Sequence, residues 1–514
     1  LENMNIKSVI IENFRGYKDR QVIDLNNFTA FVGRNDVGKS TILEALDIFF
    51  NDSKGVVVMD STDVNREAKE ANDKVDIVIG VEFINLPSEV CIDDNNTTTL
   101  SDEYLLNYEG NLTVIKKYTN GSKTPKVYIY AYHPNHKECC DLLSKKQKEL
   151  QELSEDLDCD KTKNAEMRKA IRNLYSDFLD LRMKEIEVSK EDAKNIWDKL
   201  KQYMPIYTLF QADRSNDDKD KEVQDPLKEA VKIIMSSTKI RSKCQEIYDA
   251  VIEELQNVSD RTVKKISDMN PSLASSLHPA LPTADDLKWT DVFKSVSITG
   301  ENDIPINKRG SGVKRLILIN FFRAEAENKQ EKAKAPGIIY AIEEPETAQH
   351  AHHQKLLIDA LKKLSQKDDI QVIITTHSSL ILKQLAFNEV RIVKNIESGK
   401  VVNKISESQL PYPSLNEIAF TAFGDVLVEY HNELYGYIEF EGWKNEFKNG
   451  KELYPYKKET TKGIKEENLI KTEIIRHQIH HPENKLNTYF TPDELYNSIN
   501  EMRSFIETYK AANK

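Results

Sequence analysis

Cysteine and long apolar runs are both scarce in this sequence. The 514 residues include five cysteines, an odd number without a CxxC pair, which excludes a disulfide-stapled miniprotein and favours reduced thiols. No stretch approaches the roughly 18 uncharged apolar residues that a membrane-spanning helix needs. No charged-then-apolar leader precedes the first motif. We therefore expect a cytoplasmic protein that has no membrane partner.

The charge balance is acidic and the composition is that of a globular protein. There are 72 Lys and Arg against 84 Asp and Glu, a net charge of −12, and 39% of the residues are hydrophobic. These values exclude a collagen-like or wholly disordered chain. They also argue against a protein that coats nucleic acid non-specifically, although a local basic site stays possible. At about 100–200 residues per domain, the length predicts two to four structural units.

The first nucleotide motif lies between a predicted strand and a predicted helix. The apolar run 28–32 leads into Gly33-Arg-Asn-Asp-Val-Gly38-Lys39-Ser40, which matches GxxxxGK[ST]. The glycines let backbone N–H groups surround phosphates, Lys39 reaches the β- and γ-phosphates, and Ser40 binds Mg²⁺. We expect ATP and Mg²⁺ as cofactors, with the nucleotide held by Gly33, Asn35, Gly38, Lys39, Ser40 and Thr41.

Two later strands end in residues suited to ATP hydrolysis. The run 338–342 leads directly into Glu343 and Glu344, and the run 370–375 leads to His377. We expect Glu343 to bind Mg²⁺, Glu344 to polarise the attacking water, and His377 to sense the γ-phosphate. Between the P-loop and these strands, Ser311 and Gly312 lie at the start of an apolar helix, a position that binds anions.

The order of these motifs resembles that of the ABC-type ATPase heads of the SMC, RecF and OLD group. The segment 13–17, Asn-Phe-Arg-Gly-Tyr, is typical of the start of such heads, and Glu-Glu-Pro-Glu at 343–346 resembles the OLD-like form. The resemblance covers about residues 4–395. It implies a homodimer, or a higher oligomer, that sandwiches two ATP, with Ser311 and Gly312 acting in trans and residues 345–350 across the dimer seam. Gln211 or Gln224 would be the glutamine-loop residue.

The predicted architecture is α/β, with a helical insertion in the head and an all-α C-terminal region. Strands at 75–83, 112–118 and 126–132 predict a meander. The leucine-rich spacing after residue 137 fits either an antiparallel coiled-coil hairpin or two ordinary amphipathic helices packed on the core. The predicted units are 4–136 for the N-terminal lobe of the head, 137–205 for the insertion, 206–395 for the second lobe and 396–514 for the C-terminal region.

The C-terminal region departs from OLD proteins and carries a different candidate motif. A Toprim nuclease needs an Asp-x-Asp pair, and Asp493 is the only Asp after Asp425. Arg476 and His481 instead form an R-x4-H spacing that resembles the HEPN ribonuclease motif. His481 would be the acid or base and Arg476 would hold the phosphate. Docking of a partner and a purely structural role are the alternatives.

Three functions are compatible with these motifs. One is an ATP-gated switch in anti-phage defence, similar to the Septu ATPase subunit, which controls cleavage of DNA or RNA by a partner nuclease of the HNH type. The second is a self-contained ribonuclease that uses the C-terminal motif, and the third is a DNA-repair ATPase. Two metal sites are weaker hypotheses: Cys139 and Cys140 with His133 and His136, and the group His350, His352 and His353.

Overall fold

The structure is a computed structural model in which the chain divides into two compact units. It describes residues 4–93, 96–189, 193–211, 238–269, 327, 337–347, 350–396, 399–405, 410–411, 414–460 and 463–512. One unit comprises residues 1–212 and 330–514, and the other comprises 213–329. Within the second unit the described part is essentially one helix, Thr238–Met269. Ser311, Gly312 and Gln224 lie outside the described residues.

An antiparallel sheet forms the first layer of the head. Its spatial order is β2-β1-β4-β7-β8-β9, and every neighbouring pair is antiparallel. The meander predicted at 75–83, 112–118 and 126–132 is therefore confirmed as β4, β7 and β8. The strands are β1 Asn5–Glu12, β2 Gln21–Asp24, β4 Asp76–Ile84, β7 Leu112–Thr119, β8 Lys126–Pro134 and β9 Leu181–Glu187, with a separate hairpin of β5 Val90–Asp93 and β6 Asn96–Thr98.

A mostly parallel sheet forms the second layer and carries the nucleotide motifs. Its order is β10-β11-β12-β3-β13-β14, and the first five strands run parallel. Three of them, β3, β11 and β12, are buried at every position, as expected for strands covered on both faces. The strands are β3 Phe28–Val32, β10 Ile206–Phe210, β11 Ile338–Glu343, β12 Ile370–Thr376, β13 Val390–Ile396 and β14 Gly399–Lys404.

Helix α1, Lys39–Phe50, joins the two sheets. It contacts β1 and β4 of the first sheet and β10, β11 and β12 of the second, and its apolar residues belong to the largest core cluster. The P-loop is thus anchored on both sides by one continuous hydrophobic core. The other helices of the head are α2 Arg66–Ala71, α5 Ala193–Leu200, α7 Ala351–Leu364 and α8 Ser379–Leu382, and we number the helix of the second unit, Thr238–Met269, as α6.

The segment at 137–205 contains two short helices and a strand. Helix α3, Gln147–Leu153, and helix α4, Asn164–Leu174, pack together around Leu150 and Met167. The coiled-coil interpretation is wrong for this segment, because the helices are shorter than two heptads and Leu181, expected in the second arm, begins β9. Arg168 and Arg172 of α4 both bind the buried carboxylate of Glu103, at 2.7 and 2.8 Å. The segment therefore packs on the head.

The C-terminal region is largely helical and has its own core. Helices α10, α12 and α13 pack around Tyr430, Leu434 and Ile499. The prediction of an all-α C-terminal region is wrong in one place, because β15 Tyr454–Thr460 and β16 Gly463–Leu469 form a hairpin. The helices are α9 Leu415–Phe423, α10 Val428–Phe440, α11 Lys444–Lys448, α12 Lys471–His480 and α13 Pro492–Ala512.

Two hydrogen bonds define the start of the last helix, α13. The backbone N–H of Glu494 donates to the hydroxyl of Thr491, and the backbone N–H of Thr491 donates to the Glu494 carboxylate. These two bonds are the reciprocal pair of a capping box. In the part of the chain that the structure describes, no helix is long and apolar enough to cross a membrane.

Candidate nucleotide site

The parallel sheet brings the predicted nucleotide motifs to one edge. Val32 at the end of β3 is in register with Thr376 at the end of β12, and Thr375 is in register with Glu343 at the end of β11. Because parallel strands end at the same edge of a sheet, the residues that follow them share one crevice. The P-loop, Glu343, Glu344 and His377 are therefore neighbours, although 344 positions separate Gly33 from His377 in the sequence.

Lys39 lies buried inside the P-loop. Its ammonium donates to the carbonyl oxygens of Gly33 and Arg34, at 2.9 and 2.7 Å, and the residue is 4% exposed. Burial lowers the pKa of Lys39, while the carboxylates of Glu344 and Glu346 act in the opposite direction. Among the described residues, the hydrogen bonds of this buried cation go to neutral carbonyls, and phosphate oxygens would bind the ammonium more strongly.

Two side chains hold the outer face of the P-loop. The hydroxyl of Tyr17 donates to the carbonyl of Gly38 at 3.0 Å, and Lys400 Nζ donates to the carbonyl of Asp36 at 2.8 Å. Gly38 has a φ of 100°, and a Cβ there would lie 2.7 Å from Lys400 Cδ. Both the left-handed backbone and the nearby lysine thus require glycine. Tyr17 belongs to the segment that resembles the start of ABC-type heads, whereas no sequence signal indicated Lys400.

The two consecutive carboxylates differ in their surroundings. Glu343 is 7% exposed at the end of β11. Glu344 turns out of the strand with a φ of 41°, and its backbone N–H donates to the carbonyl and the hydroxyl of Thr375, at 3.0 and 3.1 Å. The left-handed conformation of a non-glycine residue is uncommon and concentrates at functional sites. It presents Glu344, which is partly exposed, at the mouth of the crevice.

His377 lies against two carboxylates. Its Nδ1 is 3.1 Å from Glu344 Oε1 and 3.6 Å from Glu346 Oε1. Glu346 is 5% exposed and accepts hydrogen bonds from the Thr376 hydroxyl and the His377 backbone N–H. Glu346 thus bonds to the end of β12 in its own chain, and the placement of residues 345–350 across a dimer seam stays a prediction. Sequence reasoning missed the role of Glu346, although the Glu-Glu-Pro-Glu spacing was visible.

Gln211 follows β10 at the same edge of the sheet. Phe210 is in register with Ile342, which places Gln211 opposite Glu343, and its side-chain amide donates to Glu44 of α1 at 3.4 Å. Of the two glutamine-loop candidates, Gln211 is thus located beside the P-loop helix, whereas Gln224 is outside the described residues. Arg15 also contacts Glu44, and it forms a second ion pair with Asp63.

These residues fit ATP and Mg²⁺. The buried Lys39 provides positive charge for phosphates, and Glu343 with the hydroxyl of Ser40 provides the hard oxygen ligands that Mg²⁺ prefers. Asn35 and Thr41 border this cradle in sequence. When bound, Mg²⁺ would neutralise charge on the phosphates. The roles of the individual residues remain predictions.

Comparison with known proteins decides the class of the protein. Residues 4–382 match the family model described as AAA ATPase domain. The chain belongs to this AAA ATPase family. The prediction of an ATPase with a mixed α/β head is confirmed, and the chain is an ATPase. A search of curated protein sequences finds no match.

Among solved structures, SMC head domains are similar to this ATPase at a low level. The Pyrococcus furiosus Smc head with an extended coiled coil, bound to the C-terminal domain of ScpA, is 13% identical with a TM-score of 0.38, covering 78% of this chain and 96% of that one. The Thermotoga maritima SMC head is 11% identical with a TM-score of 0.33, covering 78% and 100%. The family assignment rests on the family model alone.

In the C-terminal region of this ATPase, Arg476 and His481 have different partners. Arg476 donates to Glu439 at 2.9 Å and its guanidinium lies 4.3 Å from the centre of the Tyr435 ring. His481 Nδ1 is 3.1 Å from Glu483, and the His481 ring stacks near that of His477. None of the contacts in the described part of the chain joins Arg476 to His481. The ribonuclease role of this pair remains a prediction.

Both alternative metal sites lack the necessary geometry. His133 is fully buried with Nδ1 2.8 Å from the carbonyl of Tyr104, and Cys139 is buried among apolar side chains. His350, His352 and His353 are exposed at the start of α7. No group of three potential ligands from His, Cys, Asp and Glu that could hold a metal occurs among the described residues. The cysteine hypothesis is therefore wrong.

Proposed function

We propose that this ATPase is a dimeric, ATP-gated switch of anti-phage defence that controls nucleic-acid cleavage by a partner nuclease. The convergence of Lys39, Glu343, Glu344 and His377 at one edge of the parallel sheet carries the ATPase part of this proposal. The defence part is supported by the resemblance of Glu-Glu-Pro-Glu at 343–346 to the OLD-like form and by the resemblance of an ABC-type head with a short helical C-terminal region to the Septu ATPase subunit.

Each residue of the crevice has a chemical task in this proposal. Lys39 and the P-loop N–H groups bind the phosphates, and Glu343 with Ser40 holds Mg²⁺. Glu344, which is partly exposed at the mouth, orients and polarises the attacking water. His377, beside Glu344, contacts the γ-phosphate and reports whether it is present.

The switch requires two copies of the chain. The sequence contains one P-loop and one candidate signature, Ser311 and Gly312, so each ATP would be enclosed by the P-loop of one copy and the signature of the other. Hydrolysis of the ATP would then allow the two copies, or a larger assembly, to dissociate. A DNA or RNA substrate would be bound locally, because the net charge of −12 does not favour broad contact with nucleic acid.

Replacement of the water-polarising residue tests the ATPase part. In Glu344→Gln the amide no longer removes a proton from water, so we expect kcat to fall by about 100-fold or more while ATP binding persists. The same variant should accumulate as an ATP-bound dimer, which size-exclusion chromatography with light scattering would detect. Glu70→Gln, an exposed change on α2, is the control. Unchanged hydrolysis by Glu344→Gln would refute the assignment.

A cleavage assay tests the nuclease part. Purified protein would be incubated with labelled tRNA and DNA, with ATP, and with or without a nuclease encoded by a neighbouring gene. We expect cleavage only when the neighbour is present. Cleavage of RNA by the protein alone, lost in His481→Ala, would replace the proposal with the self-contained ribonuclease. If DNA stimulated ATP hydrolysis and no nucleic acid was cleaved, the result would favour a DNA-repair ATPase.

A further inference from the structure

We propose that Glu346 is a positioning residue for ATP hydrolysis, which acts by holding His377 against Glu344. The inference deepens the proposed function and rests on the roles given there to Glu344 and His377. Glu346 is the third acidic residue of the 343–346 segment, and no part of the motif reasoning gave it a task.

Glu346 accepts hydrogen bonds from the last residue of β12 and from the residue that follows it. Its Oε1 accepts from the Thr376 hydroxyl at 2.6 Å and from the backbone N–H of His377 at 3.0 Å, and it lies 3.6 Å from His377 Nδ1. The Thr376 hydroxyl in turn accepts from the backbone N–H of Ser378 at 3.0 Å. Oε1 of Glu346 thus holds the backbone of His377 in place and also lies close to the His377 ring.

The same geometry sets the orientation of the imidazole. Carboxylate oxygens of Glu344 and Glu346 lie 3.1 and 3.6 Å from Nδ1 of His377. An ionised carboxylate can accept hydrogen bonds but cannot donate them. Nδ1 must therefore carry the proton, as assigned from its partners. The ring then presents Nε2 away from the two carboxylates, and the proton on Nδ1 stays directed at Glu344, the residue that handles the water.

The burial of Glu346 indicates more than a packing role. The residue is 5% exposed, and its second oxygen, Oε2, has no hydrogen-bond partner among the described residues. A buried carboxylate that served only to join two loops would normally have both oxygens bonded, because each unmet acceptor costs free energy. An amide oxygen could accept the same two hydrogen bonds, from the Thr376 hydroxyl and the His377 backbone N–H, so what the carboxylate adds at this position is a negative charge beside His377.

A double-mutant cycle tests this inference. Glu346→Gln keeps an oxygen for Thr376 and the His377 N–H but removes the charge, so we expect kcat to fall by about tenfold or more with KM for ATP within about twofold of wild type. Because Glu346 acts through His377, Glu346→Gln should change kcat by less than about twofold in the His377→Ala background. Glu346→Asp, which restores the charge, should recover part of the lost kcat.

Controls separate this role from a structural one. Glu473→Gln alters another buried carboxylate, far along the chain in α12, and should leave kcat unchanged. Melting temperatures identify any variant that loses activity by unfolding. Wild-type kcat in Glu346→Gln, a raised KM alone, or an equal loss of kcat with and without His377 would overturn the inference. If Glu344→Gln and His377→Ala both leave kcat unchanged, the proposed function itself fails. If those two lower kcat and Glu346→Gln does not, only the inference fails.

Discussion

Buried ionisable side chains in this protein are stabilised in two different ways. Glu103 is fully buried but binds both Arg168 and Arg172, and the two guanidinium groups lower the pKa of its carboxyl against the effect of burial. His431 in α10 instead stays neutral, with Nε2 3.0 Å from the hydroxyl of Ser498. Burial, with the nearby Arg476 and His480, lowers the pKa of His431 to about 4. The first arrangement retains a charge and the second avoids one.

The neutral state of His431 predicts acid sensitivity. Because its pKa is about 6.5 when unfolded and about 4 when folded, the unfolded chain binds the proton first as the pH falls. The free energy of unfolding should therefore decrease between about pH 6.5 and pH 4, by about 3 kcal/mol from this group. Urea denaturation at several pH values would measure it.

Two histidine variants isolate that contribution. His431→Leu has no proton to bind, so its free energy of unfolding should fall less steeply with acid than that of the wild type. His352→Gln changes an exposed histidine on α7 and should keep the wild-type pH dependence. Identical pH dependence in wild type and His431→Leu would contradict the prediction.

Strands with an apolar sequence pattern can be predicted locally, whereas strands joined by exposed cross-strand side-chain pairs cannot. The strand β12 is apolar and fully buried, and its pattern predicted it directly. The hairpin of β15 and β16 has mostly exposed, charged residues, and its strands are joined by backbone bonds and cross-strand pairs such as Lys457 with Glu466. Such a sequence has no alternation of apolar and polar residues, and the hairpin was therefore not predicted.

Helix α10 contains a glycine that its packing does not require. Apart from the backbone of α10 itself, no atom of the described residues lies within 4 Å of a Cβ built on Gly436, and its φ is not in the left-handed region. Alanine loses less backbone entropy on folding than glycine in a helix interior. Gly436→Ala should therefore raise the free energy of unfolding by about 0.5–1 kcal/mol.

Chemical denaturation would measure this gain. Gly424→Ala is the contrasting variant, because Gly424 has a φ of 76° and a Cβ there would lie 2.0 Å from Arg34 Nη2. It should be destabilised. A lower free energy of unfolding in Gly436→Ala would contradict the prediction, because it would mean that the added methyl group does not fit beside α10.

On the scale of the whole molecule, Arg34 of the P-loop contacts helix α9 of the C-terminal region. Arg34 Nε donates to the carbonyl of Phe423, the last residue of α9, at 2.9 Å. A cation at the C-terminal end of a helix is favourable because the unpaired carbonyls there carry partial negative charge. The backbone carbonyl of Arg34 also accepts from Lys39. Lys39 and the C-terminal region thus both contact Arg34.

Removal of this side chain should loosen the end of α9. In Arg34→Ala, the lost interaction of about 0.3–1 kcal/mol corresponds to amide exchange about two- to fivefold faster at residues 420–424. Hydrogen–deuterium exchange followed by mass spectrometry would detect it. Arg66→Ala, which removes an exposed arginine of α2, should leave these amides unchanged. Unaltered exchange in Arg34→Ala would mean that other contacts hold the helix end.

The sequence by itself determined the ATPase class and most of the site. Gly33 to Ser40 form a P-loop because strand, glycine turn and helix are consecutive in the chain, and Glu343, Glu344 and His377 follow apolar strands that local pattern reveals. For the helices at 147–174, local spacing left two predictions open, a coiled-coil hairpin or two helices packed on the core, and the charged hairpin escaped prediction, since the stability of both depends on partners elsewhere.

Only the tertiary structure decided how distant residues complete the site. Lys400 reaches Asp36 across 364 positions, and Arg34 reaches Phe423 across 389. The sheet order brings β11 beside β12, and Glu346 therefore meets Thr376 and His377. Strand order and burial determine such contacts, and neither is encoded in the spacing of residues within one segment. The physical reason is that a motif specifies its own backbone and chemistry, whereas its partners depend on how the whole chain packs.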